Sequence, residues 1–221
     1  IIGVFLFSYA TYNSGFSIDK KAPNSLVYIQ NEIDKKAYFG TYNRELDSFT
    51  QQVFNNANTA GSIEDAGTKS KYNTRFTFES ETSFKSIPSS KIEIEFDTII
   101  NDKRFVELSI LPQRKINKLE FIVKKPIIFS QLKVNDALVN DGKSYSRKGG
   151  SFLIYHLGNS DQEVSLSFTT SIEQELDFIL NEISYDLMSH PSFNLKPRTE
   201  KMMPMPFVTN DAIIINKQIK L

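Results

Sequence analysis

The chain has no cysteine, no tryptophan and only two histidines, His156 and His190. Without cysteine there is no disulfide framework, no thiolate metal site and no Cys nucleophile. Two histidines 34 positions apart are a poor basis for zinc hydrolysis, which needs several His, Asp or Glu side chains converging around an open coordination position. An excess of one charge is also missing. Twenty-six Lys and Arg balance 26 Asp and Glu, for a formal net charge of +0. No net basic field exists to gather phosphates, which argues against a nucleic-acid partner and against a polybasic membrane-surface module. Long apolar runs are lacking too. The leading Ile1–Phe7 segment is far short of the ~20 residues a spanning helix requires.

What is present suits a folded domain. The 221 residues are 40% hydrophobic and 24% charged, and 18 Phe and 9 Tyr give a core bulk without Trp. After Pro23, short apolar runs alternate with polar turns. Leu26–Ile29 and Ala37–Gly40 read as two strands joined by a turn through Asn31–Lys35. Leu46, Phe49, Val53 and Phe54 fall at helical spacing, which predicts a helix over Arg44–Phe54. Residues 55–74 are almost devoid of apolar side chains and read as a long surface loop or linker. In Lys91–Phe96 strict alternation sends Ile92, Ile94 and Phe96 one way and Glu93 and Glu95 the other. Further strands are expected over residues 104–111, 119–123, 127–129, 132–134, 152–157 and 164–168. Residues 176–187 fit a strand or a short helix, and β-branched and aromatic content favours the strand. Met202–Val208, with Pro204 and Pro206, reads as an extended strap over the core. At least eight short strands with turns about every ten residues predict an all-β antiparallel sandwich, jelly-roll or Ig-like.

Candidate chemistry is thin. His156 lies in an apolar strand run and His190 precedes Pro191 in a turn. Ser151, His156 and Asp161 could be drawn as a triad, but the glycine pattern of a nucleophile elbow is missing. Glu93 and Glu95 are carboxylates on one strand face, as on any wetted edge. Arg147–Gly150 lacks the loop and helix of a phosphate cradle and reads as a hairpin turn. Met202, Met203 and Met205 form a soft-ligand cluster in composition only, with no His near them. Tyr38, Tyr42, Tyr145 and Tyr155 would suit a sugar-stacking surface if they formed an exposed row. By pattern, Ile1–Phe7 fits the end of a spanning helix, a buried strand or a signal-peptide core.

Several strings line up beyond these patterns. Pro23-Asn24-Ser25-Leu26-Val27-Tyr28 is followed by Lys36-Ala37-Tyr38-Phe39-Gly40-Thr41-Tyr42. Leu46–Thr50, Pro112-Gln113-Arg114, Asn117–Glu120 and Pro204-Met205-Pro206-Phe207 complete the set. Over residues 13–216 this resembles the C-terminal soluble region of membrane-bound M28-family zinc peptidases, Bacteroidetes-like members in particular. Phe39 stands where such proteins often carry Trp, and Asn135-Asp136 where Asn-Gly is common. The resemblance implies a peptidase domain and several membrane helices upstream of a β-rich domain beyond the membrane. On that basis residues 1–22 are expected to be the end of a transmembrane helix and a tether, with the membrane engaged through residues 1–12. Residues 23–60 are expected to be a hairpin and helix packing on the sandwich, 61–74 a surface loop and 75–221 the sandwich. The resemblance also implies an extracytoplasmic location, periplasmic in a bacterium. Its partners would be the peptidase and transmembrane domains of the same parent chain. Zinc and the catalytic residues belong to the upstream domain in that family. No catalytic, cofactor-binding or metal residue is therefore assigned in this chain, which is expected to be a non-catalytic accessory domain. The alternative is a free-standing carbohydrate- or protein-binding sandwich.

Overall fold

The computed structural model describes residues 2–12, 15–54, 58–59 and 75–221. One α-helix, α1 (Ile2–Tyr12), precedes the sheets. The strands that follow are β1 (Ala22–Asn24), β2 (Val27–Asn31), β3 (Lys36–Thr41), β4 (Asn58–Thr59) and β5 (Phe78–Thr82). Next come β6 (Lys91–Ile100), β7 (Lys103–Leu111), β8 (Lys118–Val123), β9 (Ile127–Val134), β10 (Ala137–Leu138) and β11 (Tyr145–Arg147). The last are β12 (Gly150–His156), β13 (Val164–Ser171), β14 (Asp177–Ser184), β15 (Met202–Pro204) and β16 (Ala212–Lys220).

The fold is an all-β sandwich. A large sheet has the order β12-β8-β14-β16-β2-β3-β5-β4, and a smaller one β10-β9-β13-β7-β6, with β11 also on β9. Between them lies the main core. Alternate residues of β7, β9 and β13, such as Leu108, Phe129 and Phe168, meet alternate residues of β8, β12 and β14, such as Phe121, Phe152 and Phe178. Phe129 is its hub. Its ring stacks on Phe152 at 4.7 Å and meets Phe168 edge-on at 5.0 Å, geometries that phenyl quadrupoles favour.

The small sheet covers only part of the large one. Further along the same face, Leu26, Tyr28, Phe39, Ile213 and Ile215 are covered instead by loop residues, among them Phe49, Phe54, Ile87 and Leu187. Here Phe39 and Phe193 both approach the Tyr28 ring edge-on, so the phenyl at position 39 is well packed. On the opposite face Val27, Ile29, Ile183 and Ile214 lie under Tyr42 and Phe76, with Met205 and Val208 of the strap against them.

The hairpin β2–β3 enters the large sheet directly. β2 pairs in parallel with β16, and β16 pairs antiparallel with β14. The strand nearest the C-terminus is therefore central, and Ala212–Ile215 are fully buried, matching their unbroken apolar run. Residues 177–184 are strand, as their β-branched content predicts.

Three local expectations change. The helix expected over Arg44–Phe54 is reduced to a 3₁₀ turn at Thr50–Gln52. The Asp47 carboxylate takes the amides of Phe49 and Thr50 and the Thr50 hydroxyl, a side-chain alternative to helical bonding. The helical spacing of Leu46, Phe49 and Phe54 still puts them into one cluster. A bulge at Glu95 breaks the alternation in β6: Ile94 pairs with Leu108, but Phe96 pairs with Glu107. Phe96 therefore turns to the outer face, away from Ile92 and Ile94. Finally, Arg147–Gly150 is not a hairpin turn. β11 pairs with β9 in the small sheet while β12 pairs with β8 in the large one, so the chain changes sheets here. Gly150, at φ +84°, makes the corner.

Asn101–Asp102 and Asn135–Asp136 are two-residue turns with all four φ values positive, between 47° and 64°. Asn and Asp tolerate that conformation better than other non-glycine residues, so Asn-Asp serves where Asn-Gly is more usual. The loop expected over residues 55–74 lies outside the described residues except for β4, which pairs with β5.

Candidate functional site

A groove lies where the N-terminal segment meets the strap. β1 runs parallel to β15, with Ala22 opposite Met202, Pro23 opposite Met203 and Asn24 opposite Pro204. Phe16, Pro23, Tyr42, Leu46, Met202 and Met205 line a cavity of about 740 Å³, and Arg44, Glu45, Asp47 and Lys201 supply its polar wall. Tyr42 stacks against Phe76 at 4.6 Å. Burial, reinforced by the nearby Glu120 carboxylate, pushes its phenol well above the usual tyrosine range. Its hydroxyl has no hydrogen-bond partner among the described residues. Tyr42 is therefore a packing residue rather than a proton donor at neutral pH.

Asp47 is one end of a polar chain that runs inward from the groove. Its Oδ2 accepts from Asn24 Nδ2 at 2.8 Å, and Asn24 Oδ1 accepts from Arg198 Nε. Arg198 forks onto Asp211, with both N–H···O contacts at 2.7 Å. Its guanidinium also lies 4.3 Å from the centre of the Phe49 ring. Asn210 completes the knot, accepting from the Leu26 amide and donating to the Asn24 carbonyl. The Arg198–Asp211 ion pair and these hydrogen bonds tie the ends of the strap to β1.

A second polar cluster sits in the seam between the two apolar clusters on the inner face of the large sheet. Glu182 on β14 is fully buried and accepts from the Ser90 amide at 2.8 Å through one carboxylate oxygen. Its other oxygen has no partner among the described residues. Lys217 Nζ donates to the Ser90 carbonyl at 2.7 Å. Arg114 donates to the Ser184 hydroxyl. Burial raises the Glu182 carboxyl above the ordinary range, and the Ser90 hydrogen bond and the Arg114 charge only partly oppose it. Burial likewise lowers the Arg114 guanidinium.

On the outer face of the small sheet, Phe96 and Phe105 border a shallow depression of about 400 Å³ with Glu107, Lys133, Ser167 and Thr169. Neither the bulge nor this depression is visible in a strict period-two reading.

The residues singled out from sequence do not converge. His156 is exposed at the end of β12, and His190 Nδ1 accepts from the Ser192 amide. Ser151 and His156 are five positions apart on one strand, or about 17 Å, so the Ser151–His156–Asp161 trio is not assembled. Glu93 faces Ser109 across the ladder, while Glu95 occupies the bulge. Met202 and Met205 pack against different clusters, although both line the groove, and Met203 is exposed. Tyr42 is buried, while Tyr145 and Tyr155 pack against the main core at the other end of the molecule; with Tyr38 they form no row. Among the described residues no group of three or more His, Asp or Glu side chains is placed to hold a metal ion. Sequence reasoning missed the Asn24–Asp47–Arg198–Asp211 network. Its members are up to 187 positions apart (211 − 24), and nothing local links them.

No family model matches the chain and no curated protein is similar to it. Among solved structures, one titled "Structure of the N-terminal domain of PorA" is similar at 10% identity. The match covers 57% of this chain and 83% of that one, with a TM-score of 0.22. A likeness that distant carries no argument about this chain.

Proposed function

We propose that the chain is a non-catalytic accessory domain, held at a membrane outside the cytoplasm, of an M28-like zinc aminopeptidase. The observation that carries the membrane part is α1. Its residues Ile2, Val4, Phe5, Leu6, Phe7 and Tyr9 are all at least 59% exposed. A helix that is apolar on every side is at home in a protein core or in lipid, and among the described residues no core surrounds this one. The described helix is not long enough to cross a bilayer, so the proposal assigns it to the end of a span or to an interfacial anchor. The peptidase part rests on the resemblance of residues 13–216. It is supported by the strap network, in which Arg198 and Asp211 serve closure. In this reading zinc and its ligands lie upstream, and the sandwich covers the peptidase, steers peptides to it or aids its assembly.

The test is deletion of residues 23–221 from the parent protein in its own membrane. Altered folding, assembly or peptide selectivity is expected, with zinc retained. An enzyme unchanged in all three would overturn the proposal. The rival reading of a sugar-binding module calls for a row of exposed tyrosines, and the dispersal of Tyr38, Tyr42, Tyr145 and Tyr155 counts against it.

A further inference from the structure

We propose that the strap carries a second membrane contact. The loop Met203–Phe207, together with Pro23 beside it, would dip into the lipid headgroup layer and fix how the sandwich stands on the bilayer. In choosing lipid as the occupant, this inference rests on the reading of α1 as a membrane helix.

The surface itself is unusual. Pro23, Met203, Pro204, Pro206 and Phe207 are all exposed, Phe207 by 67%, and Pro23 and Met203 sit side by side in the β1–β15 register. Phe207 is held at φ +64°, a conformation costly for a bulky residue. Three of the five are prolines, which have no N–H to leave unsatisfied in a medium poor in water. The β1–β15 pairing occupies further backbone groups of the same segment.

Geometry selects lipid over another apolar partner. Phe16 lines the groove together with Met202 and Met205. The last residue of α1 is Tyr12, and four residues of chain reach at most about 14 Å. With α1 in a bilayer, the strap therefore cannot stand far from the surface. Exposed Lys20, Lys21 and Lys201 also outnumber exposed Asp19 and Glu200 on the adjoining segments, a bias that suits anionic headgroups and lysine stems lying along an interface.

Because the chain has no tryptophan, single-Trp variants of the whole 221-residue chain report each contact separately. Phe207→Trp and Phe7→Trp are mixed with vesicles of phosphatidylcholine containing a minority of phosphatidylglycerol, with and without brominated acyl chains. For Phe207→Trp the expected result is a blue shift and a loss of intensity. Quenching should be strongest with bromine at shallow positions, since an interfacial side chain sits only about 5–10 Å into the headgroup and acyl boundary. Phe7→Trp should be quenched most by deeper bromines. If Phe7→Trp is quenched and Phe207→Trp is unmoved, the strap contact is refuted and the anchor stands. If neither responds, both readings fall. If only Phe207→Trp responds, the strap contact holds and the reading of α1 fails. Both positions are exposed, so neither variant disturbs the core, and circular dichroism checks that each remains folded.

Discussion

Replacing Arg198 with alanine tests whether the strap is closed by its ion pair or merely lies on the sandwich. The wild-type guanidinium makes two 2.7 Å bonds to Asp211 and two to Asn24, one to its side chain and a longer one to its carbonyl, and it covers Phe49. The Arg198 and Asp211 side chains are 11% and 23% exposed. Surface pairs are worth about 0–1 kcal/mol, and breaking a fully buried pair costs ~3–5 kcal/mol. Solvent screening at Asp211 places this pair between those limits, at about 2 kcal/mol, and loss of the contact with Phe49 adds roughly another 1 kcal/mol. In urea, with a slope of about 2–3 kcal/mol/M for a domain of this size, Arg198→Ala should lower the midpoint by roughly 1 M. Arg198→Lys keeps the charge but loses the fork, so it should fall between wild type and alanine. In a double-mutant cycle with Asp211→Asn, a coupling of about 1–3 kcal/mol is expected. A midpoint for Arg198→Ala close to wild type, with no coupling to Asp211, would refute the reasoning.

Gly40→Ala should destabilise by about 1–3 kcal/mol, because a Cβ there would lie 2.9 Å from Phe76 Cγ; an unchanged melting temperature would show that the ring yields freely. Tyr42→Phe should be neutral or stabilising by up to about 1 kcal/mol, since it removes a buried hydroxyl with no partner among the described residues; a clear loss in urea melts would mean that the hydroxyl is satisfied. For Glu182 the folded carboxyl titrates above the unfolded one. The folded state therefore holds the extra proton, and stability falls as pH rises from the unfolded value of about 4.3 towards the folded one. Glu182→Gln removes that dependence, so its urea midpoint relative to wild type should improve as pH rises over that window, whereas parallel curves would contradict the assignment.

The fold was legible because both faces of most strands carry their pattern locally. Leu119–Val123 reads as a strand from its own residues, and it is an interior strand of the large sheet. The failures were equally physical. Leu46, Phe49, Val53 and Phe54 have helical spacing, but spacing registers only which side chains share a cluster, and Asp47 diverts the local amides from helical bonding. Glu95 looks like one more polar residue in an alternating strand, and only the partner strand reveals that it is the extra one. Gly149-Gly150 marks a turn, but which sheet the next strand joins depends on β8 and β9, not on the turn. The polar knot at the strap was illegible for a different reason. Asn24, Asp47, Arg198 and Asp211 are ordinary residues one by one, and only the completed sheet brings them together.

The central claim is that this domain serves a reaction centre located elsewhere. The most direct measurement is aminopeptidase turnover by the purified 221-residue chain, assayed with and without added zinc and alongside its zinc content. The account predicts no turnover and no stoichiometric metal. Turnover that depends on zinc and survives repurification would contradict it.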